Sequence, residues 1–412
     1  MQVRRLHSVE DLLKLGPAWE RLYEEDACAD VFAHIDYYCA WWEHFGHVGD
    51  HATLVTHRGL RSVSVQIRSA QMHVLAVEDN GRTVGIVPLV LLLGRWNHLP
   101  VRILAPAIND HSPRGGVLSA RLTDDAFRAL AEHVSNSPDW DMMILDGIRL
   151  DSGFARKFSN AVVRCGLKVV QQRSWTHTFL ALNGTWDEFL VTQGRHFRKR
   201  IYQGRRAVEK LGATTAERYA GSDVRQGMQL FVEIDRSSWK ATDGESLAFH
   251  PKLAAYYEEL AVRLAAKDSS EIWILKIGGE PAAGYLCLRK GDVLYTFKTS
   301  HSESFARAKV SPGNDLLARI IESCWERGFQ GVDFVGTAAF VERWTSERRE
   351  FDHVMIYHRR LYPSLVRFSE SLRGRAARAT RALGHATKQW RHRGQEQGNG
   401  SGEVSPASTE SS

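Results

Sequence analysis

Apolar residues recur along this chain in two rhythms, every three to four positions and every second position, in blocks that follow a similar order twice. In the first half, "SVEDLLKLGPAWERLYEED" opens on a Ser/Glu capping pattern and continues with helical spacing, and "FAHIDYYCAWWEHFG" predicts a second helix with an aromatic face. Alternating segments follow. "MHVLAVED" and "RTVGIVPLVLLLG" flank Asn-Gly, the signature of a tight hairpin, and "VRILAP" predicts a further strand before the loop "AINDHSPRGG". A helix over "TDDAFRALAEHVSN", a buried strand "WDMMILDGI", a helix "FARKFSNAVVRCG" ending at Gly166 and a strand "LKVVQQRSWTHTFLAL" complete this half. In the second half, "TWDEFLVTQ", the basic stretch "RHFRKRIYQGRRAVEKLG", "DVRQGMQLFVEIDRSSWK" and "PKLAAYYEELAVRLAAK" predict helices. "EIWILKI", "PAAGYLCLRK" and "VLYTFKTSH" form a meander, followed by a helix over "SPGNDLLARIIESCWERG", a buried strand "GVDFVG" and a last strand "FDHVMIYHRRLY".

The order predicts an α/β (α+β) protein of two lobes, residues 1–183 and 184–362, each a mixed, mostly antiparallel sheet flanked by helices. A basic helix over 363–393 and a Gly/Ser-rich disordered tail over 394–412 follow. The length of 412 residues and the 43% hydrophobic content suit two packed cores. The net charge of +6 is unevenly spread: eight basic residues against four acids from Leu361 onward hold four of those charges. The body is therefore near neutral, a weak case for nucleic acid despite the basic stretch. Five cysteines without metal-ligand spacing fit reduced thiols in a cytoplasmic protein without a metal. "GIVPLVLLLG" is about half the length a bilayer needs.

Chemistry concentrates between 272 and 336. A strand running into a Gly-containing loop and a helix start forms an anion site, because first-turn N–H groups lack partners and the helix dipole favours negative charge. Ser311 opens this candidate cofactor-binding loop, Pro312 fits the first turn and Gly313 allows close approach, with Asn314, Asp315 and Leu316 following; an ordinary helix start merely capped by Ser311 is the alternative. His301 ends the preceding strand, either as a general base or as a solvated loop histidine. Asp333, between apolar neighbours, reads either as a base with raised pKa or as a hydrogen-bonded structural acid. Trp239 and Lys240 in "SSWK" either meet an acceptor or serve the core and a helix cap, and Asp110 with His111 either faces a cleft between lobes or forms an Asx turn.

The ordered set of "FAHIDYYCAWWEHFG", "GRTVGIVPLVL", "HFRKRIYQGRRAVEKLG", "FVEIDRSSWKATDG", "GEPAAGYLCLRKGDVLYTFKTSHSESFARAKVSPGNDLL" and "GFQGVDFVGTAAFVERW" resembles the GNAT acyltransferase superfamily. More narrowly, it is similar to the CelD-type, cellulose-biosynthesis-like acetyltransferases related to FemAB double-GNAT proteins, over about 20–360. One departure is that Val341 follows Phe340 where the family often has an aromatic-Lys pair. The resemblance implies acetyl-CoA or another acyl-CoA as donor. Its pyrophosphate would lie on the N–H groups of Gly313 to Leu316, its pantetheine along "VLYTFKTSH", and Arg307 and Lys309 would pair with phosphates. The acceptor would be an amine or hydroxyl of a sugar, polysaccharide or small molecule.

Two other functions compete. A FemAB-like aminoacyl transferase would use aminoacyl-tRNA and set the basic helix against RNA phosphates. A non-enzymatic nucleic-acid or membrane-surface binder would use the amphipathic basic pattern of "LVRFSESLRGRAARATRALGHATKQWRHR". No specific nucleic-acid motif occurs, so the expected partner is a small-molecule or saccharide acceptor, with weak membrane-surface contact of the C-terminal helix. The pattern does not fix the oligomeric state.

Overall fold

The computed structural model describes residues 1–46, 53–58, 61–96, 99–306 and 310–368. The first half runs β1 (Gln2–Leu6), α1 (Val9–Glu25), α2 (Ile35–Phe45), β2 (Thr53–Arg58), β3 (Arg61–Asp79), β4 (Arg82–Trp96), β5 (Leu99–Pro106), α3 (Asp124–Asn136), β6 (Met142–Arg149), α4 (Phe154–Arg164) and β7 (Lys168–Ala181). Local chemistry sets several of these bounds. Ser8 Oγ accepts the Asp11 N–H and opens α1, Thr123 opens α3, and Asn80 and Gly81 both take positive φ in the β3–β4 turn. The second half runs α5 (Trp186–Thr192), α6 (Arg195–Glu209), β8 (Thr214–Ala220), α7 (Val224–Arg236), α8 (Trp239–Thr242), α9 (Pro251–Ala265), β9 (Ser270–Ile277), β10 (Glu280–Lys290), β11 (Val293–His301), α10 (Glu303–Ala306), α11 (Pro312–Glu326), β12 (Gly331–Asp333) and β13 (Arg348–Tyr357). A capping box between Thr185 and Glu188 starts α5.

All strands join one sheet in the order β1-β3-β4-β5-β6-β13-β7-β12-β11-β10-β9-β8, with β2 paired to β3. The division at 183/184 expected from sequence is therefore not a division of the sheet. β13, placed by order in the second lobe, lies between β6 and β7 of the first and pairs antiparallel with both. Its side chains explain this: Val354 and Ile356 fill one core of the first lobe, and Met355 and Tyr357 fill the other. A strand apolar on both faces is stable only in a sheet interior.

Three cores result. α3 and α4 cover one face of the first-lobe sheet, and α5, α6 and α11 cover one face of the second. The remaining faces share a core in which α1 and α2 meet α7 and α9. Across this junction Arg263 pairs with Glu43, and His44 with Glu259 at 2.7 Å. Lys290 Nζ donates to the carbonyls of Asp26 and Ala29. Among the described residues no helix is long and apolar enough to cross a membrane. The 363–393 helix is helical where described, to Phe368; the rest of it, and the tail, lie outside the described residues.

Candidate active site

β11 and β12 run parallel for only three residue pairs, the last being Tyr295 with Asp333. β11 then continues to His301 held by β10 on one side, while the chain beyond β12 turns away at Val335, which takes φ 49°. A β-branched residue rarely tolerates that conformation. Here the Val335 N–H donates to Asp333 Oδ1 at 2.9 Å and Phe334 N–H donates to the Thr178 carbonyl, which fix the turn. The result is a V between two strands, open toward the end of β11. Opposite it β11 carries a bulge. Leu286 pairs with Lys298 and Cys287 with Thr296, so Phe297 is an extra residue.

At the mouth of the V lies the start of α11. Ser311 precedes Pro312 but its side chain does not cap the helix, so the Ser-cap alternative does not hold. The first turn therefore offers the N–H groups of Gly313 and Asn314, where the helix supplies no acceptor. The Asp315 N–H donates to the Ser311 carbonyl, which narrows the expected Gly313-to-Leu316 cradle to its first two members. The Asp315 side chain is buried against Arg319 (2.9 Å) and Arg205 (3.7 Å), and Leu316 is wholly inside the core. Leu316 thus serves the core, while Asp315 also borders the groove between α6 and α11. Arg307 and Lys309 lie outside the described residues.

Beside this helix start α6 closes a groove of about 560 Å³, lined by Lys199, Arg200, Ser311, Asn314, Phe340 and Arg343. The basic stretch thus divides its work. Arg205 ties α6 to α11 through Glu322 at 2.7 Å, while Lys199 and Arg200 border the groove. Where the resembling family often has a lysine, Val341 is buried, and the positive charge of that segment reaches the groove from Arg343.

The two candidate bases separate. His301 lies over the first turn of α11: a Cβ added at Gly313 would sit 3.8 Å from its Nδ1. Burial holds this imidazole below its usual pKa, so it is neutral near pH 7. Asp333 is fully buried and its carboxylate is gripped by Arg114 through two bonds, of 2.6 and 3.0 Å, with Arg349 at 3.4 Å. Burial would raise its pKa, but the Arg114 charge overcomes this and holds it below the ordinary carboxylate value. The raised-pKa reading of Asp333 is thus corrected to that of a structural anion. Arg114 also bonds Asp30 (3.1 Å) and His177 Nδ1, and packs its guanidinium over Phe351.

The remaining candidates are structural or peripheral. Lys240 Nζ donates to Asp235 Oδ1 (3.0 Å) and the Thr299 carbonyl (2.7 Å), tying α8 to α7 and β11. Trp239 is 45% exposed. Asp110 is exposed in a turn where Asn109 Oδ1 accepts the His111 N–H, the Asx alternative. His111, by contrast, reaches across the lobes, with Nδ1 3.2 Å from Tyr257 Oη on α9. Sequence reasoning missed Arg114 and Tyr257. The signal for Arg114 was "PRGG": a Cβ at Gly115 would lie 2.5 Å from Pro106 Cβ, and one at Gly116 2.3 Å from Ala33 Cα, so the loop is pressed into the fold.

The family profile of the GNAT acetyltransferase domain matches residues 195–346. No curated protein sequence matches the chain. Among solved structures, FemX aligns over 85% of this chain and 97% of its own, with a TM-score of 0.54 at 15% identity. The C-terminal domain of a putative lysylphosphatidylglycerol synthetase from Agrobacterium fabrum aligns over 88% and 97%, with a TM-score of 0.50 at 11% identity. A conserved protein of unknown function from Bacteroides thetaiotaomicron aligns over 86% and 100%, with a TM-score of 0.50 at 9% identity. Identities this low speak to fold alone. The profile match begins at Arg195, the first residue of α6, and ends two residues past Trp344, spanning both walls of the groove. Residues 195–346 are therefore similar to a GNAT acetyltransferase domain, and the chain as a whole shares the fold of FemX.

Proposed function

We propose that this protein transfers an acetyl or other acyl group from acyl-CoA to an amine or hydroxyl of a saccharide or small-molecule acceptor bound between the lobes. The observation that carries this reading is the path from the open edge of β11 to the uncapped start of α11 inside a basic groove. Pantetheine fits an extended strand edge by backbone hydrogen bonds. The pyrophosphate fits two N–H groups that the helix itself leaves without an acceptor, a helix dipole and the charges of Lys199, Arg200 and Arg343. The bulge at Phe297 interrupts the β10–β11 ladder along this path, and the proposal places the thioester beside it. The CelD-type affiliation belongs to this proposal and rests on the Ser-Trp-Lys and "SPGNDLL" stretches.

Acetyl-CoA should raise the thermal midpoint, since it binds the native state alone. Gly313→Ala should keep that response, because the nearest neighbour of the added Cβ is 3.8 Å away. Gly313→Trp should abolish it while leaving the unliganded midpoint within a few degrees. An undiminished response in Gly313→Trp would remove α11 from the donor site. A second reading, aminoacyl-tRNA as donor, is favoured by one feature: Arg195, Arg198, Lys199, Arg200 and Arg206 are all exposed on α6. It requires RNA binding that weakens steeply with salt. Acetyl-CoA response without such binding decides for acyl-CoA.

A further inference from the structure

The bulge at Phe297 does more than interrupt a ladder. Along a regular strand, neighbouring residues face opposite sides. Leu294 of β11 joins the core under α11, while Tyr295 joins the core shared between the lobes. Phe297 packs toward that same shared core, against Tyr257 of α9 and Phe32 of the first lobe. Strict alternation would then send Lys298 to the α11 side. Instead its Nζ lies 3.2 Å from Tyr257 Oη and 4.5 Å from the centre of that ring. The extra residue has turned Lys298 onto the interlobe side, whereas His301 faces α11.

The surroundings of Lys298 suit an amine that changes charge. Its hydrogen-bond partner among the described residues is the neutral hydroxyl of Tyr257, whose oxygen accepts from it. Tyr257 is buried and bonds His111 Nδ1 from the first lobe, so the three groups form a chain across the junction. The charged groups around it come from several elements. Asp235 on α7 is already paired with Lys240 of α8, Glu245 follows α8, and His111 lies on the first-lobe loop. Burial, then the Lys240 charge, pull the ammonium down to about 8, against the opposing pull of Asp235 and Glu245. Burial, then the charges of Lys298 and His250, hold the His111 imidazole at about 4, so it stays neutral.

We infer that Lys298, turned between the lobes by the β11 bulge, is the general base for the acceptor. This rests on the acyl-CoA reading above. The acceptor nitrogen or oxygen attacks the thioester carbonyl and forms the new C–N or C–O bond. Its proton passes to the neutral amine of Lys298, the C–S bond breaks, and the resulting ammonium neutralises the departing thiolate by returning that proton. Tyr257 and His111 are positioning residues: the hydroxyl receives the ammonium N–H, and the imidazole accepts the hydroxyl proton.

The test follows release of free CoA thiol from acetyl-CoA by the full chain, with water alone and with glucosamine as acceptor, from pH 6 to 10, beside calorimetric binding of CoA. For the wild type, kcat should rise tenfold per pH unit and level off near pH 8. Lys298→Met and Lys298→Arg should both lower kcat by about 100-fold or more and lose the pH 8 limb, with CoA affinity unchanged. Arginine cannot lose its proton at these pH values, so it separates base catalysis from mere positive charge. Tyr257→Phe should shift the limb rather than remove it. Near wild-type turnover in Lys298→Arg, an unshifted limb in Lys298→Met, or no thiol release despite CoA binding would overturn the assignment. Absence of CoA binding in the wild type would overturn the donor reading itself, and this assignment with it.

Discussion

Arg114 takes a guanidinium wholly out of water, and three distant parts of the chain answer for it. Asp333 supplies a two-pronged carboxylate, Asp30 a second, and His177 a ring nitrogen. Removing one partner of such a group leaves buried charge uncompensated. Arg114→Met should therefore cost about 3–5 kcal/mol, read as a large fall in thermal midpoint. Arg114→Lys should recover little of it, because a point charge cannot span two carboxylates and a ring. Histidines carry a second residue-scale prediction. Burial and nearby positive charge hold His73 at about 3 and His111 at about 4 in the folded chain, below the ordinary 6.5. The unfolded chain then binds protons first as pH falls. The stability these groups contribute is complete above about pH 6.5 and is lost progressively as pH falls toward 4. Thermal midpoints between pH 7.5 and 4.5 should drop, and the drop should shrink in His111→Phe. An equal drop in that variant would assign the acid sensitivity elsewhere.

Among elements, α6 and α11 together border the groove proposed as the donor site. They face each other through Arg205, Glu322 and Asp315. Lys199 and Arg200 border the groove and, among the described residues, have no ion pair comparable to that of Arg205. Lys199→Glu with Arg200→Glu should weaken acetyl-CoA binding by about 10- to 100-fold, more at low salt, with the unliganded midpoint nearly unchanged. Calorimetry at two salt concentrations would check this, and unchanged affinity would take α6 out of the site. Both helices were legible in sequence from their spacing and, for α11, from Pro-Gly. Their juxtaposition was not, since nothing local links residues so far apart. β8 escaped notice because "TTAERYA" is a half-exposed edge strand of mostly polar and small residues. Lys298 was unreadable for a sharper reason: only the bulge decides which face it takes, and bulges leave no apolar pattern. Asp333 stood out correctly as an unusual buried acid, but its sign of shift depended on Arg114, 219 positions away.

At the scale of the whole molecule, β13 joins what the sequence order suggested separating. A chain cut between 183 and 184 should yield two fragments that neither fold alone nor show a cooperative transition, because each lacks neighbours its sheet needs. A chain ending at Phe368 should keep the full midpoint and the acetyl-CoA response. Ending it at Tyr362 should lower the midpoint, since Val366 is 1% exposed within the shared core. Equal midpoints for these two truncations would show that the turns after β13 add nothing.

The seat of β13 also governs the order in which the protein can be made. β6 and β7 are synthesised early, yet the strand that separates them arrives roughly 200 residues later. Until then both strands present open edges to solvent or to each other. Closing so long a loop is slow compared with forming hairpins such as β3–β4. The first lobe therefore waits on the ribosome for the second lobe to be finished. Nascent chains stalled before residue 348 should be the aggregation-prone species, and the two lobes reach their native state as one event.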